Sequence, residues 1–128
     1  MGVSPVFWKS LNGGWPEGMV KPDDKTVVHG VKRLWRHVTR RPCPYDVIVV
    51  HHRARRTWVH WRSIEGKPAR QVLIVSPDYH HPHPGWPAIV HDLSHYLHWR
   101  MNRAARPHDS RQARLEQRLQ RYVIENLI

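Results

Sequence analysis

The chain has 128 residues, enough for one domain with a modest core and too few for a multidomain enzyme. Its 40% hydrophobic content argues against disorder, no apolar run approaches the ~20 residues of a membrane span, and the lone Cys43 excludes an internal disulfide or a cysteine-based zinc ribbon. Basic residues outnumber acidic ones 21 to 10, and the net charge of +11 draws polyanions, nucleic acid first and anionic lipid second.

In chain order, residues 1–22 carry Gly13, Gly14, Pro16, Gly18 and Pro22 with no sustained period. They read as an arm laid on the surface and pinned by Trp8 and Trp15, ahead of a single domain over residues 23–128. The opening residues lack the basic and apolar regions of a secretory signal, and Val6 stands where myristoylation wants Ser or Thr, so an intracellular protein is expected. Asp23 or Asp24 can cap a helix, after which Val27, Val28, Val31, Leu34, Trp35 and Val38 form one apolar stripe. Pro42 and Pro44 end that helix.

Three extended segments follow. Tyr45–His51 is short, apolar and β-branched, as in a central strand, and Arg56–Ser63 alternates in polarity. A turn at Gly66–Pro68 leads into Arg70–Val75, and the close spacing of the three predicts an antiparallel meander. Asp78–Gly85 is an irregular loop. Pro87 suits the first turn of a second helix running to about Asn102, and Asp109 or Ser110 caps a last one with Leu115, Leu119, Tyr122 and Val123 on one face. The fold class expected is α+β: a helix, a small and mainly antiparallel three-stranded sheet, then two helices.

Of the twelve histidines, seven lie between His80 and His108. On a helix over 87–101, Ile89, Val90, Leu93, Tyr96 and Leu97 share one face, while His91, His95 and His98 fall roughly opposite. His91 and His95 stand one turn apart, so both imidazoles reach a single cation. Zinc suits neutral imidazole ligands, and a third protein ligand leaves one position for water. Asp92 follows the first histidine and gives HDxxH, the zincin HExxH pattern with an aspartate in the glutamate's place. Aspartate carries the same proton-transfer chemistry on a side chain one methylene shorter. For the third ligand His108 ranks above Glu116, and Glu116 above His98, which is two turns from His91 and better placed to line the groove.

The segment from Ile89 to Glu116 resembles the SprT-like zincin metallopeptidases, whose pattern is an apolar pair, HExxH, a variable linker and a third histidine opening the next helix. Ile89 and Val90 match the apolar lead, His91, His95 and His108 the three metal ligands, and Asp92 the catalytic glutamate. The order of an N-terminal helix and then a small sheet is also similar to that fold, over roughly residues 23–126. Departures are Asp92 itself, Asp109 where glycine often follows the third histidine, and the lack of a C-terminal zinc ribbon. The resemblance implies a zincin-like fold, a Zn²⁺ cofactor and hydrolysis of peptide bonds, in some branches on proteins attached to DNA. A stand-alone domain of this kind looks most like a phage or bacterial member. That places it in the cytoplasm of a bacterium or infected host, with a virion as the other option. Tyr96, His98 or a loop histidine would stabilise the oxyanion.

Other signals point elsewhere. His80, His81 and His83 form a loop able to hold a second metal or simply to sit in solvent. Arg53, Arg55 and Arg56 make a basic loop, and Arg111, Arg114, Arg118 and Arg121 recur at helical spacing. These are solvated faces or contacts to nucleic-acid phosphates, with Trp58 or Trp99 available to stack bases. The alternative to a peptidase is therefore a zincin-fold protein with little or no activity, acting as a DNA-binding or phage structural module. No pattern predicts a membrane partner, and none predicts an oligomeric state.

Overall fold

The computed structural model describes residues 14–52, 56–63, 65–78, 83–103 and 106–128. It has the α+β arrangement expected: α1 (Asp24–Thr39), β1 (Asp46–Val49), β2 (Trp58–Arg62), β3 (Arg70–Val75), α2 (Trp86–Met101) and α3 (Ser110–Asn126).

The helix ends follow from capping. Asp23 Oδ1 accepts from the Thr26 N–H at 2.8 Å, and Arg40, left-handed at φ 64°, closes α1 by donating its N–H to the Arg36 carbonyl. The valine–leucine stripe is the buried face: Val27, Val31 and Leu34 are fully buried and Trp35 nearly so. Gly30 lies on the same face against the Trp86 ring, so the two helices approach more closely than any side chain there would allow.

The sheet departs from the meander. Its order is β1-β3-β2, with β1 parallel to β3 (Asp46 opposite Val72, Val49 opposite Val75) and β2 antiparallel to β3 (Trp58 opposite Ile74, Arg62 opposite Arg70). Burial explains the order. Val72 to Val75 form the one continuous buried run, so β3 takes the centre, where both edges are paired. The Tyr45–His51 segment, expected in the centre, is an edge strand that starts at the exposed Asp46. The link between the parallel neighbours is β2 itself, which passes β3's place and turns back to pair on its far side.

The second helix also differs from a one-sided amphipathic rod. Eleven of the residues of α2 are buried, including Asp92, Ser94 and His98, because α3 packs along it and the core surrounds it. A helix apolar nearly all round belongs in the interior. Each fully buried leucine, such as Leu93 or Leu97, contributes about 1.5–3 kcal/mol relative to exposure. Trp15 packs on the core as expected of the arm; Trp8, the other expected pin, lies outside the described residues. No helix among the described residues is long and apolar enough to cross a membrane.

Candidate metal centre

Helical spacing on α2 sets His91 and His95 one turn apart, with ring centroids 4.8 Å apart and the two Nε2 atoms 3.2 Å from each other. Two nitrogens each about 2.05 Å from one tetrahedral zinc lie about 3.3 Å apart, so this pair already has the spacing of two ligands. With a proton on one nitrogen, the same contact is a hydrogen bond.

The third histidine arrives through the turn before α3. His108 is left-handed at φ 59°, and its N–H donates to Gln112 Oε1 at 2.7 Å. The Gln112 N–H in turn donates to Asp109 Oδ1 at 2.9 Å, and Gln112 Nε2 reaches back to Ser94 Oγ on α2. This cap locks the reversal and swings the His108 ring to 5.3 Å from His91 and 4.5 Å from His95, centroid to centroid. Each of His91, His95 and His108 offers a nitrogen within 4.8 Å of the other two.

Burial keeps two of these rings available. Burial, followed by the neighbouring imidazoles, pushes the pKa of His95 down to about 3, and burial likewise lowers that of His108. Neutral imidazole is the form that binds a metal. Glu116, ranked as an alternative ligand, is buried on α3 with Oε1 3.0 Å from His91 Nδ1. Its carboxylate accepts a hydrogen bond from Nδ1–H, which leaves Nε2 bare toward the cluster, the arrangement by which a carboxylate orients a metal-binding imidazole. Glu116 Oε2 has no hydrogen-bond partner among the described residues.

Asp92, the candidate base, is buried, and its Oδ2 accepts from the Thr57 N–H at the start of β2. Burial raises its pKa, opposed by the Thr57 hydrogen bonding and the His91 and Arg56 charges, so its carboxylate is a stronger base than a solvated one. Asp92 and His95 face a cavity of about 410 Å³ whose other walls include Arg56, Trp58, His98 and Trp99. Buried His98 has Nε2 3.1 Å from Asp109 Oδ1, in an orientation that makes no hydrogen bond. Tyr96 is turned into the aromatic core between Trp35 and Trp58, so its ring is absent from the cavity wall. A larger apolar groove of about 790 Å³, lined by Met19, Val20, Trp86 and Leu127 among others, shares no residue with the histidine cleft.

Of the predicted basic contacts, Arg56 is exposed over the Trp58 ring, and Arg111, Arg114 and Arg118 are exposed along α3. Arg53, Arg55, His80 and His81 lie outside the described residues, and His83 is exposed. Sequence reasoning missed Gln112 and Thr57. The spacing of Asp109 and Gln112, a capping-box pattern, was the available signal for the first. Nothing local signals Thr57, whose contact with Asp92 spans 35 residues.

Comparison with protein-family models, curated proteins and solved structures returned no match to this chain.

Proposed function

We propose that this chain is a zinc-dependent peptidase of SprT-like zincin type, with His91, His95 and His108 holding Zn²⁺ and Asp92 as the proton-transfer group. The observation that carries this reading is the convergence of three imidazole nitrogens within 4.8 Å, one of them on His95 in the wall of a cavity. The donor set fits zinc: nitrogen ligands only, burial that favours the neutral form of His95 and His108, and a carboxylate behind His91 that fixes its tautomer. Zinc, when bound, supplies a Lewis acid that polarises a carbonyl and acidifies water. Asp92 takes up a proton on one side of the reaction and returns it on the other, aided by a carboxyl made more basic by burial. Among the described residues β2 pairs only with β3, and its outer edge, which follows directly on Thr57 beside Asp92, is one to which an extended peptide can add.

The test is zinc content of tag-free protein together with hydrolysis of unfolded protein substrates. One zinc per chain, lost in His91→Ala and His95→Ala, and hydrolysis lost in Asp92→Asn, are expected. Protein that takes up no zinc overturns the reading. Stoichiometric zinc without hydrolysis in either wild type or Asp92→Glu removes the enzyme and leaves the metal-binding scaffold, whose basic faces would then serve a DNA-binding or structural role.

A further inference from the structure

We infer that the cleft receives an acidic stretch of polypeptide, which deepens the peptidase reading and rests on it. At the cavity wall a four-tier stack crosses from the start of β2 to the end of α2. The Arg56 guanidinium lies 4.8 Å above Trp58, Trp58 lies 4.6 Å from Trp99, and Arg103 lies 4.4 Å above Trp99. These ring and cation–π contacts clamp the edge strand to the helix. Both arginines are exposed, and a guanidinium carries its N–H donors in a planar fork that matches a carboxylate.

The charge at this mouth is one-sided. Exposed Arg56 lines the cavity, exposed Arg103 lies over its wall residue Trp99, and exposed Arg106 and Arg111 directly adjoin the wall residues Pro107 and Gln112 in the chain. The local acids are turned inward and engaged: Asp92 with Thr57, Glu116 with His91, and Asp109 with the α3 N-terminus. No ion pair of Arg56, Arg103, Arg106 or Arg111 occurs among the described residues. Further along β2, Arg62 stands directly opposite Arg70, a like-charge pair that costs stability. Only Arg70 is offset, by Asp46 at 2.8 Å. Arginines thus flank the free edge at both ends.

Polypeptide fits this surface better than nucleic acid does. The free edge of β2 presents alternating N–H and C=O groups, and a peptide main chain meets both. A phosphate backbone brings acceptors alone and would leave the edge carbonyls without donors.

The experiment measures binding of short fluorescent peptides, blocked at both ends, by anisotropy with zinc-free and zinc-loaded protein. A Glu-rich peptide should bind about tenfold more tightly than its Gln isostere, a gap that closes at high salt. Arg56→Gln, Arg103→Gln and Arg106→Gln should each narrow the gap, while Arg118→Gln, on the part of α3 facing His37, should not. Arg106 touches no ring among the described residues, so its variant reports on charge without loosening the stack. Equal binding of the Glu and Gln peptides overturns the inference. So does equal narrowing by Arg118→Gln, or displacement of the peptide by a single-stranded oligonucleotide in a manner that depends on Arg56 and Arg103. Zinc uptake without Glu preference defeats this inference alone. Glu preference in protein that takes up no zinc defeats the peptidase reading and leaves an acidic-peptide surface.

Discussion

Replacing Glu116 by Gln separates a residue that orients a metal ligand from one that merely fills the core. Glu116 is 4% exposed, its Oε1 is 3.0 Å from His91 Nδ1, and its Oε2 has no partner among the described residues. The amide keeps the shape and can keep one hydrogen bond, but it gives up the charge that makes His91 a better donor. Losing such a carboxylate typically costs 10- to 100-fold in metal affinity, roughly 1.4–2.7 kcal/mol. The zinc-free fold should respond differently. A buried carboxylate with one oxygen unpaired carries a desolvation penalty that a neutral amide relieves, so the melting temperature without zinc should hold or rise. Competition against a chromophoric chelator reads the affinity, and thermal unfolding with and without zinc reads the stability. If zinc affinity stays within about twofold of wild type, or falls only in step with the zinc-free melting temperature, Glu116 acts as packing and its assigned role is wrong.

Asp109→Ala should lower stability by about 1 kcal/mol through loss of the α3 cap and weaken zinc binding as well, because the same cap holds the His108 turn. Asp109→Asn should restore most of both, as equilibrium unfolding and chelator competition would register. Gly30→Ala drives a Cβ into the Trp86 ring, and the overpacking, about 1–3 kcal/mol, should outweigh the helix-propensity gain of up to about 1 kcal/mol. A variant as stable as wild type would show that Trp86 yields freely. His51 bridges Asp24 (2.7 Å) and Asp78 (3.1 Å), and these hydrogen bonds, led by Asp24, raise its pKa above the ordinary histidine value. Its contribution is therefore complete below about pH 6.5 and is lost as pH climbs through the raised value. Urea midpoints of wild type and His51→Gln should differ most in mildly acidic buffer and converge in alkaline buffer. A pH-independent gap would refute the linkage.

Helices were legible because their signals are local. The stripe from Val27 to Val38, the caps at Asp23 and Asp109 and the stop before Pro42 all depend on residues within a few turns. Strand order was not legible, because it depends on which segment the rest of the chain buries on both sides. Tyr45–His51 and Arg70–Val75 look equally apolar in isolation. Only the second receives partners on both edges, since four of its residues are buried in succession, against one in β1 and none in β2. The meander rested on short spacing, which restricts how segments connect but not which edge a returning strand joins.

The proposed metal ligands show the same division between local and non-local order. His91 and His95 follow from helical periodicity alone, whereas His108 and Glu116 both lay within reach of the cluster by sequence distance. What separates them is the turn between the helices, where a left-handed His108 and the Gln112 cap set how far α3 starts from α2. That turn brings the imidazole of His108 level with its two partners and leaves the Glu116 carboxylate facing Nδ1 of His91, on the opposite side of the ring from Nε2. A carboxylate in that position acts on the metal only through the imidazole it holds. The tryptophan–arginine stack was illegible for a related reason: Arg56 and Arg103 acquire their positions from β2 lying across the end of α2. Beside the ring contacts of Trp58, a buried hydrogen bond from the Thr57 N–H to Asp92 ties the start of this segment to α2. The residue read from the motif as the catalytic group therefore also anchors the strand on which the substrate is proposed to lie.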